Sequence, residues 1–433
     1  MMSIKIYQNP DKNTWHSFTE RPKIKTDLLK NLVQTVFSKV GQEGDTAIKE
    51  YTMQFDEVHL ENFKVSEQEI KEAHQKVPDE LKKAIRQAKK NISVFHKAQK
   101  EIKKVIETTS GVQCWRENRP IQKVGIYIPG GTAPLFSTVL MLGVPAHIAG
   151  CQEVLLCSPP DKQGKIHPAT LYSASLTGIE KIYKIGGIQA IAAMTIGTDT
   201  VPKVYKIFGP GNQYVTAAKQ YAQELGTAID MPAGPSEVLI IADKYANPEF
   251  IAADLLSQAE HGTDSQVVLL ADDLKILYKV QKQITMQLQQ LPRSSIAAKA
   301  LQNSFFIHFD TLKTCFEFAN EYAPEHLIVA LKDYKTWIPY IQNAGSVFLG
   351  KYTCETAGDY ASGTNHTLPT AGFAKMYSGV SLDSFVKKIT FQHISKEGLL
   401  NLGDTLQTMA EHENLIAHKN AVSIRLDRIK NNT

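Results

Sequence analysis

Gln258 and His261 stand three apart in "LLSQAEHGTDSQ", residues 255–266. On a helix that spacing puts an amide and an imidazole on one face, where together they would hold a metal ion. A helix whose last turn is wet carries the same pattern, so both readings stay open. "AEHG" is not the H-E-x-x-H pattern of a zinc protease. "EYAPEHLIVAL" gives the adjacent pair Glu325 and His326 after Pro324. A carboxylate beside an imidazole supplies two proton acceptors of different basicity, although a solvated glutamate at an element boundary looks the same. Ser236, in "DMPAGPSEVLIIAD", sits directly before an apolar run, either as a functional hydroxyl or as turn chemistry.

"GDYASGTNHTLPTAG" packs Asp359, Tyr360, Ser362, Thr364, Asn365 and His366 between glycines without apolar periodicity. That predicts a loop of about fifteen residues, a length that inside compact domains is usually functional. "EHENLIAHKN" holds Glu413 and His418, spaced for a helix with Glu413 at its entrance and His418 one turn inside, or for a plain surface helix. Gln258, His261, Asp359 and His418 would make a mixed nitrogen and oxygen set suited to zinc or another borderline divalent ion. These residues alone describe an α/β enzyme, with metal dependence and nucleotide use both open.

The elements that must position these groups begin with a helical stretch, residues 27–110, in which "SEQE" from Ser66 to Glu69 is a capping box. At Val124 the texture changes. "VGIYIPGG" reads as a buried strand ending in glycines, "LFSTVLMLGVPAHIAG" as an apolar helix and "EVLLCSPP" as a second buried strand, which is a unit of a parallel sheet. "IYKIGGIQAIAAM" and "VYKIFGPGNQYVTAAKQY" repeat the strand-to-glycine turn. Such turns lie at the carboxyl ends of strands, where open α/β sheets bind ligands.

At Val238 the pattern starts again. "PLFSTVLMLGVPAHIAGCQEVLLCS" and "PEFIAADLLSQAEHGTDSQVVLLAD", 114 residues apart, pair Pro134 with Pro248, Phe136 with Phe250, His147 with His261 and Gln152 with Gln266. The sequence therefore predicts a duplicated α/β module. Both copies keep the histidine, which favours a packing role for it, yet Val144 occupies the place of Gln258. A metal would bind only the second copy. The expected organisation is an N-terminal extension at 1–24 and one α/β domain at 121–236. A second combines 25–120 with 237–381, and 382–433 form a helical tail too short to bury its own core.

The 433 residues allow two or three domains, and 43% hydrophobic with 21% charged content is ordinary for a soluble globular protein. The net charge of +4 is small and the lysines are dispersed, as in "LKKAIRQAKKNI", so nucleic-acid binding is not expected. Nor is a membrane span, because no apolar stretch reaches about 18 residues. The start "MMSIKIYQNPDKNTWHSF" lacks a basic segment followed by an apolar one, so a cytoplasmic protein is expected. Cys114, Cys151, Cys157, Cys315 and Cys354 form no C-x-x-C pair and are expected reduced and mostly buried.

Taken together and in order, "YIPGG", "FGPGN", "DMPAGPSE", "LLSQAEHG", "PEHL", "AGSVFLG", "GDYASGTNH" and "AHKNAV" resemble the histidinol dehydrogenase family, from about residue 25 to the end. The resemblance implies two tandem incomplete Rossmann-like domains with small helical terminal extensions, in a homodimer whose active site is shared between subunits. It implies one zinc per subunit on Gln258, His261, Asp359 and His418, with Glu325 and His326 as the proton-transfer pair. Ser236, His366 and Glu413 match substrate contacts, and Tyr127, Gln189 and Asn212, one from each glycine turn, match NAD contacts. The turns depart from G-x-G-x-x-G, as is usual in this family.

The reaction so implied is a four-electron oxidation of L-histidinol to L-histidine by two NAD⁺, through an aldehyde that stays bound. His326 would take the alcohol proton, Glu325 would direct hydration of the aldehyde, and His326 would again be the base in the second oxidation. Zinc would orient the substrate, whose imidazole and amine offer it two nitrogens, rather than polarise the reacting oxygen. The rival reading is a non-redox zinc hydrolase of a small amide with Glu325 as base. The glycine turns favour the dehydrogenase.

Overall fold

The computed structural model describes residues 4–21, 26–130, 134–232 and 234–431, with the side chains of 26–28 left aside. Gly131 of "YIPGG", Ala233 of "DMPAGPSE" and the expected boundary between 24 and 25 lie outside the described residues. The chain forms two compact units, the first from 1–99 and 121–385, the second from 100–120 and 386–433.

The first unit contains two parallel sheets. One has the strand order Lys181–Lys184, Glu153–Ser158, Lys123–Tyr127, Lys206–Phe208, Ala228–Ile229. The other runs Lys5–Gln8, Phe305–His308, Gln266–Ala271, Glu237–Ala242, His326–Ala330, Ser346–Leu349. Numbered along the chain within each copy, both are laid 3-2-1-4-5, and the second gains an N-terminal strand at its edge. Lys123 and Glu237, which open the central strands, are the same 114 residues apart as the paired prolines, so the duplication extends to topology.

Central strands with helices on both faces must be apolar throughout, and every residue of Glu237–Ala242 and Gln266–Ala271 is buried. The equivalent helices, Phe136–Ala149 and Pro248–Ala259, follow the first strand of each copy. His147 lies in the last turn of the first of them and is exposed, as is His261. The packing role expected for His147 is therefore wrong.

The helical layer, Thr26–Glu43, Asp45–Asp56, Glu67–Lys76 and Asp79–Lys97, was expected to join residues 237–381; it packs instead on the first sheet. Val36, Phe37 and Val40 share a core with Ile191, Met194 and Val215. Ile85 and Ile92 share another with Leu140, Met141 and Val144. The helices end at Lys97, and the capping box forms as read, with the Ser66 Oγ accepting from the Glu69 N–H at 3.2 Å.

The second unit is a three-stranded antiparallel sheet in the order Val386–Ile394, Val112–Pro120, Val105–Thr109, followed by helices Lys396–His412 and Ile416–Asn431. The tail thus begins with a strand where only helix was expected, and residues 100–120 belong with it. Its two helices meet at Gly403, where an added Cβ would stand 2.7 Å from Leu426. All five cysteines are free, but only Cys157 and Cys315 are buried, so the expectation of mostly buried thiols fails. No helix among the described residues is long and apolar enough to cross a membrane.

Candidate active site

The second sheet presents Glu325 and His326 at the start of a strand between its two neighbours. Helix Leu312–Tyr322 stops because Ala323 takes a left-handed φ of 53°, and the Glu325 carbonyl then accepts from the Ser346 N–H at 2.9 Å. Gly345 must be a glycine here, since a Cβ would fall 2.6 Å from that carbonyl oxygen. The Glu325 carboxylate accepts from the Glu237 N–H at 2.9 Å, next to the half-buried Ser236. The buried Glu237 carboxylate is clamped by the Arg21 guanidinium at 2.8 and 3.1 Å. That guanidinium lies 3.5 Å over the Tyr322 ring.

His326 is only 4% exposed. Its Nδ1 lies 3.5 Å from Glu325 and 3.9 Å from Glu355, and its Nε2 lies 3.6 Å from Asp359. Burial favours the neutral ring, but Glu325, Glu355 and Asp359 outweigh it and hold His326 well above the usual imidazole range. Burial pushes Glu355 up to about 8. Burial also opposes ionisation of Asp359, yet contact with His326 leaves it below the usual carboxylate range.

His261, Glu355 and Asp359 bring ligand atoms all within 4.8 Å of one another. Gln258 belongs to the same helix end, 1% exposed, and both its amide atoms lack a hydrogen-bond partner among the described residues. The Glu355 Oε1 and His326 Nε2 are likewise buried without one. Buried polar atoms are ordinarily satisfied. A cluster that leaves four such atoms open, beside three oxygen and nitrogen ligands, fits a divalent cation and a polar substrate.

His366 lies against this group. Its Nδ1 is 2.8 Å from the Asp359 carbonyl and its Nε2 is 2.9 Å from the Thr138 hydroxyl. Burial lowers its pKa. Asn365 donates to the Met141 carbonyl at 2.6 Å. The loop after Asp359 is therefore tied to helix Phe136–Ala149 of the first sheet. Glu413 and His418 lie in the second unit, both exposed. Glu413 closes helix Lys396–His412 rather than opening the next one, and His418 is in the first turn of Ile416–Asn431.

Tyr127, Gln189 and Asn212 line one cavity of about 1030 Å³ at the carboxyl ends of the first sheet. The Tyr127 hydroxyl accepts from the Gly187 N–H at 3.1 Å. Gln189 is fully buried with both amide atoms unpartnered among the described residues. The Asn212 Oδ1 caps helix Gln213–Glu224, accepting from the Tyr214 and Val215 N–H groups at 3.0 and 3.1 Å.

Sequence reasoning missed Glu355 and the Arg21–Glu237 pair. Glu355 and Asp359 are four apart on the short helix Glu355–Tyr360, so an i,i+4 carboxylate pair was the available signal. For Glu237 it was a lone charge opening an otherwise apolar strand.

A profile of the histidinol dehydrogenase family matches residues 19–426. The chain belongs to the histidinol dehydrogenase family. A histidinol dehydrogenase of Bacteroides thetaiotaomicron is 56% identical over 427 residues, covering 99% of this chain and 100% of that one. Another, from Bacteroides fragilis, is 54% identical with the same coverage. The crystal structure of histidinol dehydrogenase from Elizabethkingia anophelis superposes with a TM-score of 0.97 at 58% identity, covering 99% of each chain. Histidinol dehydrogenases are NAD-dependent oxidoreductases of histidine biosynthesis, and the hydrolase reading falls with that membership.

Arg21 supports the site through Glu237. Arg21→Met should cost about 3–5 kcal/mol in urea unfolding, because it strands a buried carboxylate. Burial already raises Glu237, and losing Arg21 raises it further. The folded variant then holds a proton that the unfolded chain releases, so its deficit should grow as pH rises above the usual carboxylate range. A deficit that is constant over this rise would mean that Glu237 is not the group left unpaired.

Proposed function

We propose that this chain oxidises L-histidinol to L-histidine through bound L-histidinaldehyde with two NAD⁺, as a cytoplasmic homodimer with one zinc per subunit. The observation that carries this reading is His326, buried among three carboxyl groups with an Nε2 unpartnered among the described residues, in a chain of this family. Reduction of NAD⁺, followed by absorbance with histidinol as the only substrate, tests it; no histidinol-dependent signal from folded enzyme would reject it.

Gln258, His261, Asp359 and His418 are the proposed zinc ligands, with Glu355 close enough to His261 and Asp359 to take part. Zinc, when bound, would offset the carboxylate field that keeps His326 protonated and orient the substrate, while NAD⁺ would accept hydride in each oxidation. Ser236, His366 and Glu413 would contact the substrate. His326 takes the alcohol proton in the first oxidation and that of the hydrated aldehyde in the second. Glu325, held by the Glu237 N–H, turns its carboxylate on the water that hydrates the aldehyde. Tyr127, Gln189 and Asn212 would hold the dinucleotide, at the carboxyl ends of strands where such sheets bind nucleotides.

Removing one ligand of a small set should show in metal content. His261→Asn should lose zinc by elemental analysis, while His147→Asn, its exposed counterpart, should retain a full complement. Loss from both would mean that metal content reports folding and not ligation.

The two carboxylate and imidazole roles separate by half-reaction. Glu325→Gln should slow histidinaldehyde oxidation on the order of a hundredfold or more and alcohol oxidation much less, since only the second step needs a directed water. His326→Ala should damage both. Equal losses for Glu325→Gln in single-turnover measurements would remove the division of labour.

The second unit leaves Leu400, Met409, Ile416 and Ile424 exposed, apolar surface that a twofold partner would bury. We infer that Glu413 and His418 complete the partner's site. His326→Ala and His418→Ala subunits, inactive alone, should regain roughly a quarter of wild-type activity when refolded together, because half the dimers are mixed and each carries one intact site. A site built within one chain would give no recovery.

A further inference from the structure

Asp56 occupies a costly position that nothing described so far explains. It is the last residue of helix Asp45–Asp56, where the helix dipole opposes negative charge. Its Oδ2 is buried with no hydrogen-bond partner among the described residues, and burial pushes its pKa up to about 6. The nearest cation, Lys162, reaches the Asp56 carbonyl oxygen at 3.3 Å, while its ion pair is with Glu57. The Oδ2 is thus desolvated, set against a dipole and without a donor among the described residues, with only the charge of Lys162 to offset it. Such a group costs stability unless a ligand satisfies it.

Asp56 lines the same cavity as Tyr127, Gln189 and Asn212. Lys165 and His167 line it too, next to the start of helix Gly187–Ile196, and a cation beside a helix start suits phosphates. Asp56 is an acceptor and suits hydroxyls. A dinucleotide carries both, as a pyrophosphate between two ribose diols. Its nicotinamide must reach His326 on the second sheet, whereas the helix bearing Asp56 packs against Thr26–Glu43 and Gly187–Ile196 on the first. The diol that meets Asp56 is therefore the adenosine one.

We propose that Asp56 accepts hydrogen bonds from the 2′- and 3′-hydroxyls of the adenosine ribose and so sets the preference for NAD⁺ over its 2′-phosphorylated form. This rests on the reading of the cavity as the dinucleotide site. A 2′-phosphate would place a second anion against the Asp56 carboxylate, whose neighbour Lys162 is already paired with Glu57, and the general logic of acidic ribose recognition in Rossmann-like sheets then applies.

The test is direct binding, by titration calorimetry, of NAD⁺, NADP⁺, ADP-ribose and 2′-phospho-ADP-ribose to the zinc-loaded enzyme. KM for each dinucleotide at saturating histidinol accompanies it. Wild type should prefer NAD⁺ and ADP-ribose over the 2′-phosphorylated ligands by tenfold or more. Asp56→Asn should weaken NAD⁺ about tenfold, as expected for losing a charged acceptor, and should narrow the preference at least tenfold, with KM for histidinol unchanged. Asp56→Ala should do the same, and both should melt no lower than the parent because they remove an unpartnered carboxylate. If Gln189→Ala weakens NAD⁺ while both Asp56 variants leave affinity and preference untouched, the assignment of Asp56 is overturned and the cavity reading stands. If none of the three changes NAD⁺ binding, the cavity reading falls and takes this assignment with it.

Discussion

Glu325, Glu355 and Asp359 crowd around one buried imidazole with Glu237 beside Glu325, and carboxyl groups so close cannot all be charged without cations to offset them. Arg21 answers Glu237. His326 stands among the other three. Burial raises Glu355 against the opposing pull of His326. What is left over, among the described residues, is acceptor capacity on Gln258 and Glu355 beside Asp359, a physical demand that a divalent ion would meet. Breaking any member leaves a buried charge exposed to its neighbours, so the cluster constrains the strand starts, the helix ends and the loop that carry it.

The duplication shows how one scaffold position takes two uses. Val144 and Gln258 are equivalent residues on equivalent helices. Val144 is buried against the helix Asp79–Lys97, together with Ile85 and Ile92. Gln258 sits on a helix that packs against Glu355–Tyr360, whose acid Glu355 lies 3.3 Å from the Ser257 hydroxyl. An apolar cover selects valine, and an acidic one selects an amide that can serve as ligand. The first copy keeps instead its cavity at the strand ends, lined by glycine turns and two buried acceptors, Gln189 and Asp56.

Much of this was legible in the residues. Apolar runs gave the central strands, the Ser66–Glu69 pair gave a helix start, and the internal repeat gave two sheets of one topology. The helical layer was assigned to the wrong sheet because amphipathic periodicity says which face is buried and not what buries it. Strand Val386–Ile394 escaped notice because its burial is only partial and does not alternate cleanly, which leaves little periodic signal. Glu355 escaped because a six-residue helix carries less than two turns of pattern, and its significance lies in being buried beside His326, a fact of tertiary structure. The candidate residues themselves were named by resemblance; their spacing alone left wet helix ends and turn chemistry as open alternatives.

The segment from Glu355 to Thr370 joins the two chemistries. It supplies Glu355 and Asp359 to the acid cluster on the second sheet, and through His366 and Asn365 it bonds to Thr138 and Met141 on a helix of the first. Pro134 and Leu135, just before that helix, line the cavity at the ends of the first sheet. On the proposed reading a hydride would pass between a ring held by one sheet and a carbon held by the other, within about 3–3.5 Å in a reactive geometry. The loop would then be where that distance is set, since its side-chain bonds link the first sheet's helix to Asp359. This accounts for a stretch so rich in polar side chains being largely buried from Asn365 to Thr370, where a loop with no such duty would lie in solvent.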